Sequence, residues 1–103
     1  NYTSTGFSMN DKRDNQIWGY FYGASEGIKN LNLKKIAKKK DLILIGPSGA
    51  VGSMSFVKQA IRLGISYMFD PGFILTQITD SDLNLGVVNA DYLIGNDLTW
   101  RNI

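Results

Sequence analysis

The stretch Leu42-Ile43-Leu44-Ile45, followed at once by Gly46-Pro47-Ser48-Gly49, constrains the fold more than any other part of the sequence. A short unbroken apolar run suits a strand buried on both faces, as in a parallel sheet, and parallel strands need a crossover, usually a helix. The next residues supply one. Met54, Val57, Ala60 and Ile61 recur at helical spacing, and Gly64 offers a left-handed C-terminal stop. Ile65 to Phe69 is a second strand. Thr79 or Asp80 can cap a second helix carrying Leu83, Val87 and Val88, with Asp80 and Asp82 near its positive end. Tyr92-Leu93-Ile94 is a third strand. Residues 41–98 are therefore expected to form a β-α-β-α-β unit of an α/β fold.

The preceding residues have a different pattern. Tyr2 to Met9 and the aromatic run Gln16 to Tyr22 read as two strands around the polar turn Asn10 to Asn15, an antiparallel hairpin broken by Gly23-Ala24-Ser25. Residues 26–40 read as partly helical, with Leu31, Leu33 and Ile36 as apolar contacts. The expected organisation is a hairpin over residues 1–25 and a partial α/β core over 26–103. The first residue is not methionine, and Trp100-Arg101-Asn102-Ile103 falls within the first turn of a helix. The expectation is a central piece of a longer enzyme.

Composition excludes several classes. The sequence has 103 residues with a net charge of +2, too little field to recruit nucleic acid or an acidic membrane. No cysteine is present, which removes disulfides and thiolate metal sites and fits a cytoplasmic setting. No histidine is present either, which removes histidine-based triads and histidine-ligated metals from these residues. No apolar run reaches the roughly 20 residues of a membrane span.

Four stretches have the residue types for chemistry. Gly46 to Ser53 joins a strand to a helix, where backbone N–H groups can hold a phosphate. It lacks the Gly-Lys-Ser/Thr ending of a Walker A loop but carries G-x-x-G-x-x-G, and Asp70 follows Gly46 by 24 residues, near the ribose-binding acid of a dinucleotide fold. The plain alternative is a turn relieved by glycine. Asp70-Pro71-Gly72 ends a strand where ligands of open α/β sheets bind, or is simply a turn. Asn96 and Asp97 also follow a strand; their oxygens suit magnesium or its waters, and Asn96 equally suits a helix cap. Lys34, Lys35, Lys38, Lys39 and Lys40 would stack at i, i+4 on a helix, as a solvated face or a phosphate patch.

Taken in order, these segments resemble the PfkB/ribokinase family of carbohydrate and nucleoside kinases over about residues 14–98. The resemblance is carried by Asn15-Gln16-Ile17-Trp18 with Tyr20-Phe21 and Gly23-Ala24, by Asp41 to Pro47 with Met54, by Phe69-Asp70-Pro71-Gly72, and by Ala90 to Asp97. It implies a ribokinase-like parallel core, here incomplete, with residues 1–25 as a lid-like hairpin. It implies phosphoryl transfer from ATP, with Mg2+, to a hydroxyl of a small sugar or nucleoside. Asn15, Gly46, Ser48, Asp70 and Gly72 would lie on the substrate side, and Asn96, Asp97 and Thr99 on the phosphate and magnesium side, with no direct metal ligand assigned. Three positions depart from the family pattern: Thr99 replaces the glutamate of its N-x-x-E motif, Tyr22 a proline and Ser25 a methionine. The family's anion hole and catalytic aspartate have no counterpart in these residues, so no catalytic residue is assigned and activity of the chain alone is not expected.

Two other readings stand beside it. Gly46, Gly49, Gly52 and Asp70 suit a fragment of a Rossmann-type NAD(P)-binding oxidoreductase, and Thr99 leaves room for a non-catalytic binding module. Sheet edges and apolar faces without covers would favour self-association or docking with other parts of a parent protein.

Overall fold

A computed structural model describes residues 2–101, and residues 98 and 100 by backbone alone. Strands β1 (Thr5–Asn10) and β2 (Gln16–Phe21) form an antiparallel hairpin. Two 3-10 segments, Gly23–Asn30 and Leu33–Lys35, lead to β3 (Leu42–Ile45). Then come α1 (Ala50–Leu63), β4 (Ser66–Phe69), a 3-10 turn at Gly72–Thr76, α2 (Asp80–Asn89), β5 (Tyr92–Leu93) and α3 (Asp97–Arg101). Strands β3, β4 and β5 lie in sequential order, all parallel. The protein is thus a small mixed α/β structure with a three-stranded parallel sheet and a two-stranded hairpin. Among the described residues no helix is long and apolar enough to cross a membrane.

The sheet differs from the expected one in a basic respect. The register puts Ile43, Ile45, Tyr67, Phe69 and Leu93 on one face, against α1 and α2. Ile45, Tyr67, Phe69, Met54, Val57 and Ala60 form its buried centre. Leu42, Leu44 and Tyr92 point the other way and stay 51%, 64% and 58% exposed. The run at 42–45 is therefore not buried on both faces. The cause is topological: the strand order steps in one direction, and crossovers of the usual right hand then put both helices on one side.

Helix boundaries follow local chemistry. Gly64 ends α1 in the left-handed conformation, and its N–H reaches the Ala60 and Ile61 carbonyls. Thr79, rather than Asp80, caps α2 by accepting from the Asp82 N–H. Val88, expected on the apolar side of α2, is 69% exposed, whereas Leu83 and Val87 pack on the core. Strands are slightly displaced or shorter than the sequence suggests: Thr5–Asn10 against 2–9, and Ser66–Phe69 against 65–69.

The lysine group is not helical beyond Lys35. Leu31, Leu33 and Ile36 do not sustain an apolar stripe, and the Asp41 carboxylate accepts from the Lys38 N–H in a turn instead. Lys34/Lys38 and Lys35/Lys39 therefore do not stack at i, i+4. All five lysines are exposed. The segment is held from the other side, where Gln59 of α1 accepts from the Leu33 N–H and donates to the Leu31 carbonyl. The expected helical turn at 100–103 begins within α3, and residues 102 and 103 lie outside the described residues.

Candidate functional site

Parallel strands bring their carboxyl ends to one edge of the sheet. Here the Asp70 N–H donates to the Ile45 carbonyl at 3.0 Å, and the Ile94 N–H donates to the Phe69 carbonyl at 2.9 Å. The loops after β3, β4 and β5 therefore start side by side. Gly72 has φ 46°, and a Cβ there would lie 2.9 Å from Pro47 Cγ. A larger residue at 72 would push the loops apart, so glycine is needed for both conformation and closeness. Gly46, Ser48, Asp70 and Gly72 are thus brought together.

The glycine loop is braced from within. Ser53 is fully buried; its hydroxyl donates to the Gly46 carbonyl at 2.7 Å and accepts from the Ser48 N–H at 2.9 Å. The Ser48 N–H is consequently engaged by protein. Gly49 adopts φ 95° before α1, and Gly52 packs on Ile28, where a Cβ would approach Cγ2 to 3.1 Å. Two of the three spaced glycines therefore have backbone or packing roles. Beside this loop lies an open cavity of about 330 Å3, bordered by Tyr22, Ser25, Glu26 and Lys29.

Asn96 behaves as a helix cap. Its Oδ1 accepts from the Thr99 N–H at 3.0 Å and from the Thr99 hydroxyl at 3.1 Å. Thr99 is almost wholly buried, and its methyl group lies where a Cβ at Gly95 would be, 2.6 Å away. Asp97 is exposed beside it. Among the described residues no group of three carboxylate, histidine or cysteine side chains could hold a metal ion.

Asn15 lies apart from the others. It belongs to the hairpin tip, where its amide donates to Asp11 Oδ2 at 2.7 Å. Asp11 Oδ1 also accepts from the Arg13 and Asn15 N–H groups. These bonds, the Asn15 side chain foremost, hold the Asp11 carboxyl below its ordinary pKa of 3.8. Five residue steps along β1 separate this tip from the hairpin base, about 17 Å at ~3.4 Å per residue.

The hairpin base is what meets the core. The Ala24 N–H donates to the Tyr2 carbonyl at 2.7 Å, and the Ser4 hydroxyl pairs with Ser25 and with the Tyr22 carbonyl. Ser25 thus has a polar partner. Tyr20 packs on Phe73 with ring centroids 6.1 Å apart, and Gln77 donates to the Tyr22 hydroxyl at 3.3 Å. Phe73 and Gln77 follow directly from the Asp70-Pro71-Gly72 loop, so the hairpin stands beside the carboxyl edge of the sheet. Sequence reasoning missed Tyr20, Tyr22, Phe73 and Gln77 as site residues. The alternation of Tyr20 and Tyr22 was a signal for a shared face, but no spacing rule connects either to Phe73. No protein-family model matches the sequence.

Proposed function

We propose that this chain supplies the lid hairpin and central sheet of a ribokinase-like, PfkB-type kinase that transfers a phosphoryl group from ATP, with magnesium, to a hydroxyl of a sugar or nucleoside. The observation that carries this reading is the hairpin base resting on the segment after Asp70-Pro71-Gly72, through Tyr20 on Phe73 and Gln77 on Tyr22. An aromatic hairpin beside the carboxyl edge of a parallel sheet can cover a small molecule bound there and exclude water from it. On this reading Gly46, Ser48, Asp70 and Gly72 line the acceptor side. Asn96 fixes the start of α3 and supports the phosphate side through backbone placement. The catalytic base, the anion hole and the magnesium ligands belong to other parts of the parent protein, and ATP chemistry fits a cytoplasmic setting.

The three described strands step in one direction. One half of a dinucleotide fold of order 3-2-1-4-5-6 steps in the same way, so the oxidoreductase alternative is separated from the kinase by titration with NAD(H) and NADP(H) rather than by this sheet. The kinase reading is tested by assaying ATP turnover with a sugar and nucleoside panel, using both the 103-residue chain and a longer parent. Magnesium-dependent transfer by the parent and none by the chain is the expected result. A parent inactive on every acceptor would overturn the reading.

A further inference from the structure

A cavity of about 470 Å3 opens between the inner face of the hairpin and the 3-10 turn after β4. Trp18, Tyr20, Tyr22, Phe73, Thr76 and Gln77 line it. That volume falls within the range of small-molecule sites. Tyr20 and Phe73 are in ring contact with their planes inclined by 47°, and Tyr22 meets Tyr20 edge-on at 4.8 Å, so the three rings make one continuous aromatic wall. The indole of Trp18 at the rim is fixed by its N–H donating to Gln16 Oε1 at 3.0 Å. Large aromatic groups thus remain substantially exposed around one opening: Trp18 61%, Tyr20 49% and Phe73 49%.

The polar groups of this cavity lie at one end. The Thr76 hydroxyl donates to the Phe73 carbonyl, and Gln77 Nε2 donates to the Tyr22 hydroxyl. Gln77 Oε1 remains as an acceptor and the Tyr22 O–H as a donor. One donor and one acceptor at the end of an aromatic slot match the edge of a heterocyclic base. A free sugar directs several hydroxyls outward from its ring edge, and one donor with one acceptor would leave most of them without a protein partner.

We propose that this cavity binds a nucleobase, stacked against the aromatic wall that Tyr20 and Phe73 form together and hydrogen-bonded at its edge by Gln77 and Tyr22, so that the ligand is a nucleoside. As a choice of phosphoryl acceptor this rests on the kinase reading; as a binding site it rests on the cavity.

The test is calorimetric titration of the 103-residue chain with adenosine, ATP and ribose. Saturable adenosine binding is expected, weakened on the order of tenfold or more in Tyr20→Ala and in Phe73→Ala. Both rings are half exposed, so cooperative melting should persist; if either variant fails to melt cooperatively, Gln77→Ala, at an exposed position, must weaken binding instead. Ribose binding without adenosine binding, ATP binding without adenosine binding, no binding of any probe, or adenosine affinity unchanged in the variants overturns the proposal. Adenosine binding with no kinase activity in a longer parent would retain the base site and remove the kinase reading. Ribose phosphorylation by that parent with no adenosine binding would do the reverse.

Discussion

The Tyr67 hydroxyl donates to the Gly86 carbonyl at 2.7 Å, tying the middle strand of the sheet to the middle of α2. Tyr67 is 1% exposed and its own N–H donates to the Asp91 carboxylate. Burial, followed by the nearby Asp91 charge, pushes the phenol up to about 12 from an ordinary 10.0. Tyr67→Phe should cost about 1–3 kcal/mol by leaving a buried carbonyl unpaired, read as a lower urea midpoint at neutral pH. The raised pKa also sets a sign. The neutral phenol's contribution is complete below pH 10.0 and is lost as pH rises through about 12. The stability gap between wild type and Tyr67→Phe should therefore narrow across that window; a constant gap would exclude the coupling.

Gly86 has a second role on the same face. A Cβ there would lie 2.6 Å from Phe69 Cε2, and Phe69 is fully buried. Alanine usually gains about 1 kcal/mol over glycine inside a helix, but overpacking costs about 1–3 kcal/mol. Gly86→Ala is expected to destabilise on balance. Its cost should shrink in a Phe69→Leu background, where the offending ring is gone. Equal costs in both backgrounds, measured by chemical denaturation, would show that helix and strand separate freely.

The parallel unit was legible because its signals are local and mutually consistent. Leu42–Ile45 as a strand and Gly64 as a helix stop each have one good structural reading, and the cap of α2 was narrowed to Thr79 or Asp80. Which face of the sheet stays open was not legible, since Leu42 and Ile43 look alike until the crossover direction is known. The site was only partly readable for the same reason. Asp70 and Gly72 are marked by sequence, and strand ends on one edge follow from parallel topology. The pairing of Tyr20 with Phe73 depends on how a hairpin docks 50 residues away, which no periodicity encodes. Asn96 illustrates a real ambiguity: the oxygen that would suit a metal-bound water also suits the Thr99 N–H, and the latter is adjacent in the chain.

Ser53 gives the glycine loop its shape. Its hydroxyl bridges the Gly46 carbonyl and the Ser48 N–H, and the side chain is fully buried. Ser53→Ala removes both bonds and leaves two backbone groups without that partner. The Ser48 N–H also donates to the Gly46 carbonyl at 2.9 Å, so these groups keep one partner; a loss of about 0.5–1.5 kcal/mol is expected, together with faster amide exchange at Ser48. Gly46→Ala makes a useful contrast, because nothing lies within 4 Å of a Cβ there and its φ is not positive. It should leave the Ser48 amide protected. Exchange at Ser48 that is unchanged in Ser53→Ala would mean the loop is held by other contacts.

Leu44 lies on the open sheet face, on the edge strand β3, 64% exposed, flanked by Leu42 on its own strand and aligned with Met68 and Tyr92 across the sheet. A contiguous apolar face of this kind gains by being covered, at about 25 cal/mol for each Å2 removed from water. In a pure solution of this chain the available apolar cover is another copy. Leu44→Lys adds a charge that resists such contact without entering the core, so its effect on the unfolding midpoint should stay within about 0.5 kcal/mol. The weight-average mass in sedimentation should fall toward that of a monomer, most visibly at high protein concentration. Wild type that is monomeric at every concentration, or a mass unaffected by Leu44→Lys, would place the association elsewhere or exclude it.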